Sequence, residues 1–214
     1  MQIRNNDTAL IVIDVQNDFC PGGALAVPDG DGIVGTANAL MNAASHPVLT
    51  QDWHPAGHSS FASAHKGKEP FSTIELSYGT QALWPDHCVQ HTHGAEFHPG
   101  LDAAAARHTV RKGFRQEIDS YSAFFENDRR TATGLHDYLS SHGIKAVACI
   151  GLATDFCVFY SVMDALSLGY RTAICEEACR AIDLEGSLEA ARTAMRGKGA
   201  VEVSAAELLS SSTA

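Results

Sequence analysis

Short apolar runs rich in β-branched residues alternate with stretches of helical period along this chain, and that alternation admits few folds. Residues 9–15, ALIVIDV, form one such run; polar Gln16, Asn17 and Asp18 and the breakers Pro21 and Gly22 follow it at once. A run so short and so β-branched predicts a strand buried on both faces rather than a helix fragment. Ile33, Ala37, Leu40, Met41 and Ala44 then recur at helical spacing over 33–45. HPVLTQD (46–52), RHTVRK (107–112), KAVACIGL (145–152), YRTAIC (170–175) and residues 200–203 predict further strands. Helices are predicted at 131–142, at 155–168 and near 188–195. The middle one carries Phe159, Val162, Met163 and Leu166 as its buried stripe, with Gly169 as C-terminal cap. The implied class is α/β with three layers: a mostly parallel central sheet of about six strands, covered by helices on both faces. No repeat or linker interrupts the pattern, so residues 1–214 are expected to form a single domain whose tail, SSSTA, frays.

In sheets of this kind ligands sit beyond the carboxyl ends of the strands. That rule gives four strand ends a shared meaning. The first predicted strand ends near Asp14, the second at Asp52 and the third at Lys112, and the fourth is followed after a short turn by Cys157. Each residue has a plain reading by itself: Asp14 a turn cap, Lys112 a solvated charge, Cys157 a small core residue. Together they form a chemical set. A cysteine in the first turn of a helix faces unpaired N–H groups and the positive end of the dipole, which favour thiolate. Asp14 is placed to accept the thiol proton and later return it to a leaving group, and Lys112 to hold Asp14 ionised. The other five cysteines read as structural.

The segment TQDWHPAGHSSF adds a second signal, because Asp52, His54 and His58 are spaced D-x-H-x-x-x-H just after a strand and His87 follows in WPDHC. One carboxylate and three imidazoles suit Zn2+ or Fe2+, with Mn2+ a further candidate. Eleven histidines are scattered over the chain, and His91, His93 and His98 compete as ligands. Phe19, Trp84, Tyr121 and Phe124 flank these points and read either as walls for a small planar substrate or as plain core.

A formal charge of −10 argues against nucleic-acid or anionic-membrane partners, both of which need a positive surface. Six cysteines without a Cys-x-x-Cys pair, and an opening MQIRNNDTALIVIDV without a charged-then-apolar leader, suggest free thiols in a reducing, cytoplasmic compartment. The apolar runs are too short to span a bilayer.

At this point the chain resembles a known family, the nicotinamidases among the isochorismatase-like cysteine hydrolases. The resemblance rests on IVIDVQNDFCPGGALAV (11–27), QDWHPAGHSSFAS (51–63), WPDHCVQ (84–90), RKG (111–113), DSYSAF (119–124) and GLATDFCV (151–158), in the family's order. It implies the isochorismatase-like hydrolase fold and a nicotinamide amidohydrolase that releases nicotinate and ammonia in NAD salvage, with pyrazinamide as a second substrate and no organic cofactor. It implies Cys157 as nucleophile, Asp14 as proton shuttle and Lys112 as the cationic third member. Asp52, His54, His58 and His87 match metal ligands. The backbone N–H groups of Ala153 and Cys157 match an oxyanion hole beside a cis peptide, and Phe19, Leu25, Trp84 and Tyr121 match residues lining the ring. Rival readings are a metal-independent isochorismatase-like or other amide hydrolase, and a non-catalytic metal- or ligand-binding module on the same fold. Self-association is left open by the sequence.

Overall fold

The computed structural model describes residues 1–210, so the expectation for the end of the tail lies outside them. In chain order its regular elements are β1 (Thr8–Ile13), α1 (Val34–Ala43), β2 (His46–Asp52), β3 (Thr73–Leu76), β4 (Gly79–Ala82), β5 (His108–Lys112), α2 (Leu135–Ser141), β6 (Ala146–Leu152), α3 (Phe159–Ser167), β7 (Arg171–Arg180), α4 (Ser187–Lys198), β8 (Val201–Glu202) and α5 (Ala205–Leu209). Six strands form one sheet in the order β5-β2-β1-β6-β7-β8, and every neighbouring pair in it runs parallel. β1, β2 and β6 are buried along their whole length, as strands covered on both faces should be. Helices α1 and α5 pack on each other and on β7, whereas α3 and α4 pack together with α3 lying on β6 and β7. This is the three-layer arrangement that the alternation implied.

The order of strands places a switch point between β1 and β6. From β1 the chain winds outward through β2 to β5, then returns to lay β6 against the other side of β1. Loops leaving β1 and β6 thus diverge and open a crevice between them. Within that pair Ile13 stands opposite Gly151. A Cβ on Gly151 would lie 2.1 Å from the Ile13 carbonyl oxygen, and its φ of 121° is one that only glycine adopts easily.

Several boundaries differ from the sequence expectation. β1 stops at Ile13, because Asp14 takes φ 51° and leaves the extended conformation. The irregular stretch 53–100 contains the antiparallel hairpin β3–β4, whose four-residue strands left only Ile74 and Leu76 as an apolar alternation. β7 runs five residues past the predicted Cys175 to Arg180, through Glu176 and Glu177, with an irregular pairing to β6 between Cys149 and Gly151. The helix expected from residue 155 starts instead as a π-helical turn, Thr154–Val158, and becomes α-helical only at Phe159. A π turn adds a residue and shifts the phase of the helix beyond it. Ser161, Val162, Asp164 and Ala165 are the buried positions of α3, while Phe159, Met163 and Leu166 are only partly covered.

Candidate active site

All four strand-end residues meet. Asp14, just past β1, is fully buried, as is Lys112 at the end of β5; Asp52 ends β2 and is nearly so. The Lys112 ammonium joins them: Nζ lies 2.8 Å from Asp14 Oδ2, donates a short hydrogen bond to Asp52 Oδ1, donates to the Ser120 carbonyl at 3.0 Å and lies 3.5 Å from Cys157 Sγ. Burial works against the lysine charge, but the two carboxylates outweigh it and push its pKa up. At Asp14 burial prevails instead: it raises the pKa, Lys112 lowers it, and the balance stands at about 6, above the ordinary carboxylate value. Burial also disfavours an ionised Asp52, yet Lys112 and His54 prevail and hold it well below the usual carboxylate range.

The thiol departs from expectation. A helix start was expected to favour thiolate, but burial pushes the Cys157 pKa well up, and Asp14 and Asp52 add to the rise against Lys112. Cys157 sits inside the π turn rather than in the first turn of an α-helix. The raised pKa favours the thiol over the thiolate, so a base beside the sulfur has a role in its chemistry. The Ala153 carbonyl accepts N–H bonds from Phe156 and Val158, both at 3.1 Å, passing over Cys157 between them. The Leu152–Ala153 peptide is cis.

Next to this set, Asp52, His54 and His87 are all buried and offer ligand atoms within 4.8 Å of one another. The local bonding explains why their lone pairs converge. His54 Nδ1 donates to the Gly113 carbonyl at 2.9 Å and His87 Nδ1 to the Pro85 carbonyl at 2.8 Å. A carbonyl only accepts, so both imidazoles carry their proton on Nδ1 and turn Nε2 toward Asp52 Oδ2, at 3.6 and 3.9 Å. Burial, with His54 adding to it, lowers the His87 pKa to about 4 and keeps that ring neutral. Gln16 fixes the carboxylate's strand, giving Nε2–H to the Asp52 carbonyl and taking the Asp52 N–H on Oε1, both at 2.8 Å. Asp52 instead raises the His54 pKa against the effect of burial. This donor set, one carboxylate oxygen and two imidazole Nε2 atoms whose Nδ1 sides are backed by carbonyls, fits a divalent cation.

His58 is the correction. Its Nε2 donates to the Arg115 carbonyl at 2.8 Å, and its Nδ1 takes the Ser60 hydroxyl at 2.7 Å. Both ring nitrogens are committed, so the four-ligand expectation reduces to three. His58 packs beside the His54 ring, centroids 4.5 Å apart, and its ligand atoms group with His54 and Asp119 instead. His91 and His93 are exposed, and His98 is partly so.

A narrow pocket opens onto both groups, lined by Phe19, Leu25, Trp84 and Tyr121, together with Asp52, His87, Ala153 and Cys157. Aromatic edges shape it. Phe156 lies edge-on to Trp84 and Tyr121, with centroids 4.9 and 5.8 Å away, and Trp84 Nε1 donates to Tyr121 Oη at 3.1 Å. Phe124 is core, as its plainer reading had it. Three lining residues were missed from the sequence: Asp119, Phe156 and Ile182. The first two stand inside quoted motifs, beside Ser120 and Cys157, and could have been taken with them. Ile182 follows β7 and reaches the cavity only through tertiary folding, so no local signal marked it. Asp119 is buried and accepts from Gln81 Nε2 and the Ser120 N–H, both at 2.8 Å.

Known proteins resemble the chain over most of its length. The model of the isochorismatase domain matches residues 8–207. A nicotinamidase from Acinetobacter baylyi is 51% identical over 204 residues, covering 95% of each chain. The solved structure of an Acinetobacter baumannii nicotinamidase/pyrazinamidase superposes with a TM-score of 0.94 at 53% identity, over 96% of this chain and 99% of that one. A zinc complex of pyrazinamidase from Pyrococcus horikoshii superposes with a TM-score of 0.74 at 33% identity, over 92% and 99% of the two chains.

Proposed function

The chain belongs to the isochorismatase family, and we propose that it is an amidohydrolase that converts nicotinamide and water to nicotinate and ammonia through a thioester on Cys157. One observation carries the reading. A single buried ammonium, Lys112 Nζ, touches Asp14, Asp52 and Cys157 at once, so the nucleophile, its acid–base partner and a metal-ligand candidate are fixed relative to one another. The aromatic slot beside them suits a flat six-membered ring with one polar substituent.

The mechanism follows from the protonation states. Cys157 starts as a thiol and Asp14 as the nearby carboxylate. As sulfur bonds to the carboxamide carbon, the S–H proton passes to Asp14. The backbone N–H groups of Ala153 and Cys157 receive the developing oxyanion, an arrangement worth about 3–4 kcal/mol per donor in comparable sites. Asp14 then gives its proton to the amide nitrogen, the C–N bond breaks and ammonia leaves. A water molecule attacks the thioester with Asp14 as base, the C–S bond breaks, and the thiol is restored by the same proton. Lys112 keeps its charge throughout and holds Asp14 Oδ2 in place. Asp52, His54 and His87 would hold a divalent metal ion, for which Zn2+ and Fe2+ are the first candidates; when bound, it supplies a Lewis acid for the ring nitrogen. Phe19, Leu25, Trp84 and Tyr121 wall the ring and exclude water.

Pyrazinamide, of nearly the same shape, is proposed as a second substrate, and NAD salvage as the setting. The family match supports reading residues 1–214 as one domain. Six unpaired, buried cysteines support a reducing compartment such as the cytoplasm, and among the described residues no helix is long and apolar enough to cross a membrane. The test is ammonia release from nicotinamide by the purified protein, before and after chelation and after metal is returned. Release that disappears with the metal and returns with it is expected; no release from a fully metallated sample overturns the reading.

A further inference from the structure

Thr50 stands on β2 two residues before Asp52 and is fully buried. Its hydroxyl meets Asp14 twice. Oγ1 accepts the Asp14 N–H at 3.2 Å and donates to Asp14 Oδ1 at 2.6 Å. A hydroxyl has a single proton, and with the N–H arriving on the oxygen that proton is directed to the carboxylate. Oδ1 is thereby held as an acceptor. Oδ2 is left different: it is buried, no aligned hydrogen-bond donor serves it, and it lies 2.8 Å from the Lys112 ammonium that also reaches Cys157 Sγ. Asp14 has already left the strand at φ 51°, so regular sheet pairing does not orient it.

We propose that Thr50 is a positioning residue of the hydrolysis, acting through Asp14: by occupying Oδ1 it makes Oδ2 the oxygen that carries the proton. The proposal rests on the amidohydrolase reading above and adds an atom-level assignment to it. In the acylation step the S–H bond breaks and an Oδ2–H bond forms as sulfur bonds to carbon. In the next step Oδ2–H breaks and N–H forms as the C–N bond opens. The proton enters and leaves by one oxygen, and no oxidant or reductant is needed. Without the hydroxyl the carboxylate can rotate about its Cβ–Cγ bond, and either oxygen can turn away from sulfur. Substrate contacts are untouched, because Thr50 does not line the cavity.

The test compares Thr50→Val with Thr50→Ser in the metal-loaded enzyme. Valine keeps the shape and removes the hydroxyl; serine keeps the hydroxyl and removes a methyl group. For nicotinamide, Thr50→Val is expected to lower kcat by about 10- to 100-fold with KM changed less than about twofold, and Thr50→Ser to recover most of kcat. A second readout needs no substrate: alkylation of Cys157 by iodoacetamide, followed by mass spectrometry, should slow by about tenfold in Thr50→Val and recover in Thr50→Ser. If valine does not fold, Thr50→Ala replaces it in both comparisons. A serine variant as slow as the valine or alanine one, or a hydroxyl-free variant with wild-type kcat and alkylation rate, overturns the proposal. Failure of wild-type enzyme to release ammonia would instead overturn the functional reading, while the alkylation comparison still decides whether Thr50 governs Asp14.

Discussion

Replacing Lys112 by methionine isolates the electrostatic centre of the site. Methionine has nearly the stem length of lysine, so packing is retained while the ammonium disappears. Two buried carboxylates, Asp14 and Asp52, then lose their shared cation, and the Ser120 carbonyl loses its donor. Removing one partner of a buried ion pair typically costs about 3–5 kcal/mol, since the charge left behind has no compensation. The lower figure is the better expectation here, because Thr50 still bonds the Asp14 carboxylate, and the His54 and His87 rings still face the Asp52 carboxylate. With a urea slope of roughly 2–3 kcal/mol/M, a loss of about 3 kcal/mol moves the unfolding midpoint by about 1–1.5 M. The measurement is urea unfolding of metal-free wild type and Lys112→Met, followed by tryptophan fluorescence across pH. The sign of the pH effect is fixed by Asp52. Its folded pKa is depressed in the wild type, so its stabilisation is present above the unfolded value of 3.8 and fades as pH falls below it. In the variant the main lowering charge is gone while burial still raises both carboxyl pKa values. The deficit is then largest at neutral pH and shrinks as the pH falls toward about 4, where protons neutralise the carboxylates. A midpoint within about 0.3 M of wild type at pH 7, or a deficit that grows on acidification, would refute the argument that Lys112 is there to compensate charge.

Other outcomes follow from the same geometry. Cys157→Ala should lower nicotinamide hydrolysis by about 10,000-fold or more, with metal content and melting temperature kept, and near-normal turnover would remove the nucleophile assignment. Because burial raises the Asp14 pKa to about 6 and the base must be ionised, kcat/KM should fall about tenfold per unit once pH drops below that value. An acidic limb near 4 instead would mean that Asp14 titrates as an ordinary carboxyl. His87→Ala should empty the metal site as read by atomic absorption, whereas His58→Asn should retain metal, since both nitrogens of His58 already bond protein groups. Loss of metal from both variants would restore His58 as a ligand.

How far the sequence could be read depended on the range of the interactions involved. β6 was legible almost to the residue, because a strand buried on both faces leaves an unbroken apolar run, and β2 was legible from its short Val48–Thr50 centre and its polar end at Gln51 and Asp52. Reading strand ends as a shared edge located Asp14, Asp52 and Lys112, which sit at the ends of β2 and β5 or just past β1. The β3–β4 hairpin was missed, since its strands are four residues long and offer only Ile74 and Leu76 as an apolar alternation. The His54 and His58 spacing looked equivalent in the sequence. Only folding reveals that one ring turns Nε2 toward Asp52 and the other turns it to the Arg115 carbonyl. The thiol's ionisation was misjudged for a related reason: a helix start is a local feature, whereas the desolvation that dominates at Cys157 belongs to the whole fold.

The contact between Gly151 and the Ile13 carbonyl bears on how freely such a chain can drift. Asp14 follows directly on one side of that contact, and the turn bearing Cys157 begins three residues along on the other. A methyl group at 151 would meet the opposing backbone at 2.1 Å and force the two strands apart. Mutational scanning should find this position among the least tolerant in the protein, although its residue touches neither substrate nor metal. A lineage that accepted alanine there could preserve every reactive group and still lose turnover, through an altered spacing alone.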